Sequence, residues 1–429
     1  MKITFKNDKN WKGSIKYYLF SFSYADNILL NIDRAGRVIS FISQNMTENK
    51  ITYKKAFDGT WMGIKRPSVK NQRERFQLTT DQIKSVYSEI EKFTSELMTH
   101  LQQEDEIEVS VDLIDVYNGQ PMEEVLTFWL GVLDQVNFEH NNQDIQQFPS
   151  IYSNIGILPP DRYGSLVIQV TTGCVYNKCS FCTLYQGIEY SHKSPSILEK
   201  HVFDITTFMN GSLGRFHSIF LGDANALTIP YDDLLEIFQI LNTNFLISQK
   251  KIGFIEKNKP SFEGIYSFLD VFTGFKLTKT HFKRLAELNL RMVYLGIETG
   301  SNDVLKILHK PNTVEKILSI ISSLHDASIG VAVIFLIGAG GKEYQQDHVQ
   351  ESIKLIKQME LNSKDIIYLS KLFIYKQYYE IMVDNNIQTL SDSELESQYK
   401  IFKQELDEFY KSQNSKPIIT RYELLDFIY

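Results

Sequence analysis

All three cysteines of this 429-residue chain fall within nine positions, at Cys174, Cys179 and Cys182. A disulfide framework uses even numbers of cysteines spread along a secreted chain, so three clustered thiols point instead to a metal site in a reducing compartment. The apolar run Leu166–Val170 leads straight into them, which places the thiols in a loop at the end of a predicted strand. Beyond the thiols, strands and helices alternate. Strands are predicted at 218–221, 265–271, 292–297, 331–337 and 366–373, with helices at 197–209, 231–241, 278–288, 314–324 and 345–359 between them. Six such units over about 210 residues predict an α/β fold, a partial (β/α)6 TIM-like barrel of parallel strands. Reactive groups in such barrels gather at the C-terminal strand ends, where the cysteines and several acidic or glycine-rich turns fall.

Residues 1–150 read as a separate N-terminal α+β accessory domain. Strands are expected at 27–32 and 37–43 around the turn Asp33–Gly36, at 51–57, and at Ile107–Leu113. A helix begins after Thr79, with Gln82 completing a capping box. The Asn- and Gln-rich stretch 137–149 and Pro159-Pro160 mark the boundary with the core at 160–380. Residues 381–429 form a C-terminal helical extension, with Leu395, Tyr399, Phe402 and Leu406 on one face of a helix over 391–410.

Hydrophobic residues make up 43% of the chain and charged ones 23%, which suits a globular protein. The net charge of −7 argues against stable DNA binding or an anionic-membrane binder. No run of about 18 apolar residues is present, so no membrane span is expected. The first residues lack the apolar region of a signal peptide, and a cytoplasmic location is expected. Lys65, Arg66, Lys70, Arg73 and Arg75 form a local basic cluster that could hold an acidic substrate. A solvated loop is the favoured reading of it.

Thiolates hold iron–sulfur clusters, and a 4Fe–4S cluster ordinarily takes four. Three leave one iron open, as a catalytic metal requires. Cys174-x4-Cys179-x-Phe181-Cys182 after a first barrel strand resembles the radical S-adenosylmethionine (SAM) superfamily. It is similar to the cores of the methylthiotransferase-like and oxygen-independent coproporphyrinogen-oxidase-like enzymes, although three residues, not four, most often separate the first two cysteines there. The resemblance implies a 4Fe–4S cluster and SAM as cofactors, with Phe181 beside them. It implies reductive cleavage of SAM to a 5′-deoxyadenosyl radical that takes hydrogen from a substrate. It also implies an electron donor such as flavodoxin or ferredoxin.

Four further segments carry the resemblance. Gly222, Asp223 and Asn225, in the turn after the second strand, correspond to the segment that receives the methionyl ammonium. Gly296–Ser301 resembles a Gly-x-Glu-Ser-Gly segment, which assigns Glu298 and, twelve positions on, Lys310 to the cosubstrate. The strand and glycine turn 333–341 place Ile337 and Gly338 near the adenine, and 366–375 would flank it.

No cysteines remain for a second cluster, and no Asp-x-His-x-x-Gly cobalamin segment occurs, so a single-cluster enzyme is expected. Its unidentified substrate would be a small molecule, a lipid or RNA. The alternatives are a radical enzyme that modifies RNA, a non-catalytic iron–sulfur redox or sensor protein, and a zinc site completed by His192. Tyr185 and Tyr190 read as barrel packing rather than a radical relay. The N-terminal domain is expected to cap the open side of the barrel or shape its entrance.

Overall fold

The computed structural model describes residues 2–44, 50–65, 74–103, 107–110, 120–153, 155–248, 261–274, 276–422 and 429. Of the basic cluster, Arg66, Lys70 and Arg73 lie outside the described residues, as do 111–113 of the strand expected at 107–113.

The core is a sheet of seven strands, hydrogen-bonded in sequence order and all parallel. They are Ser165–Gln169, Ser218–Gly222, Ile265–Leu269, Leu290–Glu298, Gly330–Ile337, Ile366–Lys371 and Ile418–Tyr422. The first two are buried at every position, as strands covered on both faces must be. Helices Pro195–Met209, Tyr231–Asn244, Lys279–Glu287, Val314–Asp326 and Gln345–Gln358 match the predicted ones to within a turn. Thr278 and Thr313 cap two of them through their side chains.

The seventh strand lies in the stretch that the sequence marks only as a helical extension. The helix Asp392–Tyr410, capped by Ser391, buries Phe402 and Leu406 and brings the chain back beside the sixth strand. Tyrosines close the seam between the first and seventh strands: the Tyr422 hydroxyl donates to Leu158 O at 2.9 Å, and Val167 N donates to the Tyr429 hydroxyl at 2.9 Å. The amino-terminal end of the barrel is plugged by Asp161, which accepts from the Tyr294 hydroxyl at 2.6 Å and the Tyr368 hydroxyl at 2.7 Å.

The N-terminal residues form a nine-stranded antiparallel sheet, larger than the few strands expected. It packs on the helix Thr80–Leu101, whose Thr79–Gln82 capping box is present, and on Met122–Asp134. The boundary stretch 137–149 is itself helical, Phe138–Ile151, capped by Asn137. Its polar composition has a use: buried Asp144 pairs with Arg37 at 3.0 Å and Lys55 at 3.6 Å.

This unit meets the barrel where Arg37 Nη2 donates to Phe208 O at 2.6 Å and Arg215 pairs with Asp33 at 3.1 Å. Both barrel residues precede the second strand, on the face opposite the cysteine loop. Among the described residues, these contacts of the sheet lie on the amino-terminal side of the barrel, and the cavity at the cysteine loop is lined by no residue before Ile157.

Candidate active site

The cysteine loop leaves the first strand through Gly173, whose φ of +69° and close approach to the carbonyls of Ile188 and Glu189 leave no room for a side chain. It is tied down across the barrel. Ser180 N donates to Leu308 O at 3.1 Å, Ser180 Oγ to Ile307 O at 2.8 Å, and the Tyr176 hydroxyl to His309 O at 2.6 Å. Phe181 packs against the small apolar cluster of Val304, Leu308, Leu336 and Met382. Cys174, Cys179 and Cys182 thereby line one cavity of about 250 Å³ at the C-terminal ends of the strands.

Burial pushes the Cys179 thiol up to about 12, against the pull of Lys310, and raises Cys182 as well. Iron would have to displace those protons, which couples metal uptake to pH. Among the described residues no three His, Cys, Asp or Glu side chains are arranged around a single ion. Three thiols in one cavity suit a cluster, in which each thiolate takes its own iron. His192, the candidate fourth zinc ligand, is turned to Asp233 at 3.7 Å instead.

At the end of the fourth strand the register shifts between Gly296 and Glu298, and Glu298 adopts a φ of +70°. A non-glycine residue held there is strained, and here the kink sends the carboxylate into the cavity. It forms a short ion pair with Lys310, both side chains 7% exposed. Burial alone would depress the Lys310 ammonium, but Glu298 beside it raises it overall. Gly296 makes room for the pair: a Cβ there would fall on Glu298 Oε1 and lie 2.8 Å from Lys310 Nζ.

Of the remaining site residues predicted from sequence, Phe181 and Asn225 also line this cavity, and the others do not. Asp223 is buried but turned away, and the Gln169 amide donates to its two oxygens at 3.3 and 3.4 Å. Burial pushes its carboxyl up to about 6. Gly222 accepts from Val170 N at 2.7 Å, pairing with the first strand rather than opening to a ligand. In the fifth strand, alternation turns Ile334 and Leu336 to the cavity and Ile337 away, into a separate hollow beside Leu395 and Tyr399. Gly338 N donates to Gln398 Oε1 at 2.7 Å, so the C-terminal helix occupies the glycine turn expected near the adenine. Tyr185 is buried in the cavity wall.

Sequence reasoning missed Asp270, Ser370 and Tyr176, which also line the cavity. Asp270 directly follows the third strand, much as Glu298 ends the fourth, and a carboxylate in that position was the available signal. Burial raises its carboxyl, against hydrogen bonds from Thr273 and the nearby Lys310 charge.

Residues 168–356 match the sequence model of the radical SAM superfamily, and the match begins in the strand that feeds the cysteine loop. Residues 168–356, which carry the cysteine loop, are a radical SAM domain. No curated protein sequence matches the chain. Solved radical SAM structures resemble it. Coproporphyrinogen III oxidase from Escherichia coli has a TM-score of 0.39 and 9% identity, over 58% of this chain and 52% of that one. The cobalamin-dependent SAM radical enzyme OxsB has a TM-score of 0.37 and 16% identity, over 62% of this chain and 34% of that one. Methylornithine synthase has a TM-score of 0.37 and 12% identity, over 60% and 70%. The alignment thus spans about half of the first and a third of the second, and likeness at these scores carries no argument about reaction or substrate. Radical SAM enzymes use a 4Fe–4S cluster and SAM, and three thiols lining one cavity suit the cluster. Among the described residues no helix is long and apolar enough to cross a membrane.

Proposed function

We propose that Cys174, Cys179 and Cys182 hold a 4Fe–4S cluster with one open iron, at which SAM is reductively cleaved so that hydrogen is taken from an organic substrate in the adjoining cavity. The observation that carries this is the convergence of all three thiols and the Glu298–Lys310 pair on one apolar-walled cavity at the C-terminal strand ends. When bound, the cluster supplies a low-potential electron, delivered to it by an external donor such as flavodoxin or ferredoxin. The chain's own residues do the rest. Glu298 and Lys310 offer an acceptor and a donor at fixed positions, held by the strained strand end. Phe268, Phe272, Tyr294 and Leu336 wall the cavity and exclude water, which keeps a reactive radical from being quenched.

The test is anaerobic reconstitution with iron and sulfide, then addition of dithionite and SAM, with 5′-deoxyadenosine measured by chromatography. Its formation by the wild type and not by Cys179→Ala is the expected result. A loaded cluster that binds SAM and never yields 5′-deoxyadenosine would favour the redox-protein reading instead.

A further inference from the structure

Asp270 is 8% exposed and lines the thiol cavity. Its Oδ1 accepts from the Thr273 backbone N–H and from the Thr273 hydroxyl, both at 2.6 Å. Its Oδ2 is buried and has no hydrogen-bond partner among the described residues. A carboxylate oxygen stripped of water and left without a donor is costly, and a site that keeps one is complete only when a ligand supplies the donor.

Within the same turn the Phe272 backbone N–H also bears on this carboxyl, without reaching Oδ2 in hydrogen-bond geometry, and the other neighbouring polar groups are engaged elsewhere. Lys310 is taken by Glu298. Asn225 Oδ1 accepts from the Asp270 backbone N–H at 2.6 Å, which fixes the strand end. Asp223, the carboxylate that the sequence places at the ammonium, faces Gln169. The walls around Asp270 are apolar and aromatic: Phe268 and Phe272, the latter packed edge-on against Tyr176 at 4.6 Å. A fixed anion among aromatic faces favours a compact cation that donates hydrogen bonds.

We infer that Asp270 Oδ2 anchors a primary ammonium group of the molecule that occupies this cavity. Two molecules could bring such a group, the methionyl end of SAM or an amine-bearing substrate. Only the first of these rests on the proposed radical function.

Asp270→Asn separates the cases, because it keeps an oxygen for Thr273 while replacing the free acceptor with a donor. Three probes are titrated into cluster-loaded wild type and variant: SAM, n-butylammonium, and 5′-methylthioadenosine, which has the nucleoside and sulfur but no ammonium. Losing one charge-assisted hydrogen bond predicts a tenfold or greater fall in affinity for an ammonium-bearing probe, with methylthioadenosine changed less than twofold. A fall for SAM assigns the ammonium to the cosubstrate. A fall for n-butylammonium alone assigns it to the substrate. Unchanged affinities for both ammonium probes overturn the inference, as does an equal fall for methylthioadenosine or a wild type that binds neither ammonium probe. If Asp270→Asn takes up no cluster, Asp270→Ser, which keeps a capping hydroxyl, is read by the same criteria. A wild type that forms no 5′-deoxyadenosine sinks the radical reading, while the n-butylammonium arm still reports on Asp270.

Discussion

Lys310→Met puts the buried pair to the test. The substitution keeps the aliphatic stem beside Phe181, whose ring centre is 6.0 Å from the ammonium, and removes only the charge. Glu298 is then left 5% exposed with no counter-ion. Removing one partner of a buried ion pair costs about 3–5 kcal/mol, because the surviving charge stays desolvated. Replacing both partners costs much less, so Glu298→Gln with Lys310→Met should recover the larger part of the loss.

The assay is urea unfolding of SAM-free protein followed by far-ultraviolet circular dichroism. Tryptophan emission serves as an internal reference, since Trp11, Trp61 and Trp129 all lie in the core of the N-terminal sheet. The dichroism transition should move to lower urea in the single variant and most of the way back in the double. A single variant within about 1 kcal/mol of wild type, or a double variant no better than the single, would refute a tightly coupled buried pair.

The same geometry governs three other perturbations. Cys179→Ala should abolish cluster uptake, measured as iron content and visible absorbance, while leaving the circular dichroism of the fold intact. Gly296→Ala presses a methyl onto the ends of two flexible side chains rather than on backbone. It should therefore strain the buried pair, lowering stability by less than Lys310→Met does, and lower SAM affinity by about tenfold or more through displacement of Glu298, as read by calorimetry. His201 accepts from Gln169 N at 3.2 Å, and burial pushes its imidazole down to about 3. The unfolded chain protonates this residue near its ordinary value of about 6.5, so below that the unfolded state binds the extra proton and stability falls as pH drops toward 3. His201→Gln should flatten that acid limb in unfolding measured at pH 7, 6, 5 and 4.

The barrel was legible because period and punctuation agree there. Its buried strands are short apolar runs, and four of its five long helices start at a threonine cap or beside a proline. The seventh strand escaped because Ile418–Tyr422 carries an arginine and comes after a polar stretch, and only pairing with the sixth strand gives it a partner. The N-terminal sheet was undercounted for a related reason. Strands such as Trp11–Lys16 contain glycine, serine and lysine, and they are stabilised by cross-strand neighbours that local sequence does not display.

At the site, residue types were readable and directions were not. Asp223 and Asp270 are both acidic residues just beyond strand ends. One faces a glutamine behind the sheet and the other faces the cavity, a difference set by one backbone turn. The positive φ of Glu298 likewise belongs to the bulge rather than to any residue preference.

The Asp161 plug has a bearing on traffic. With two tyrosine hydroxyls drawn onto one carboxylate, the barrel is a cul-de-sac, shut at one end and open beside the cysteine loop. Two molecules that share a blind passage must queue. Whichever binds deeper arrives first and departs last, so its exchange is paced by the release of the one nearer the rim. A tight outer occupant would then slow turnover without touching the chemistry, and the lining residues Leu184 and Tyr375, each at least 39% exposed, become the ones that set the tempo.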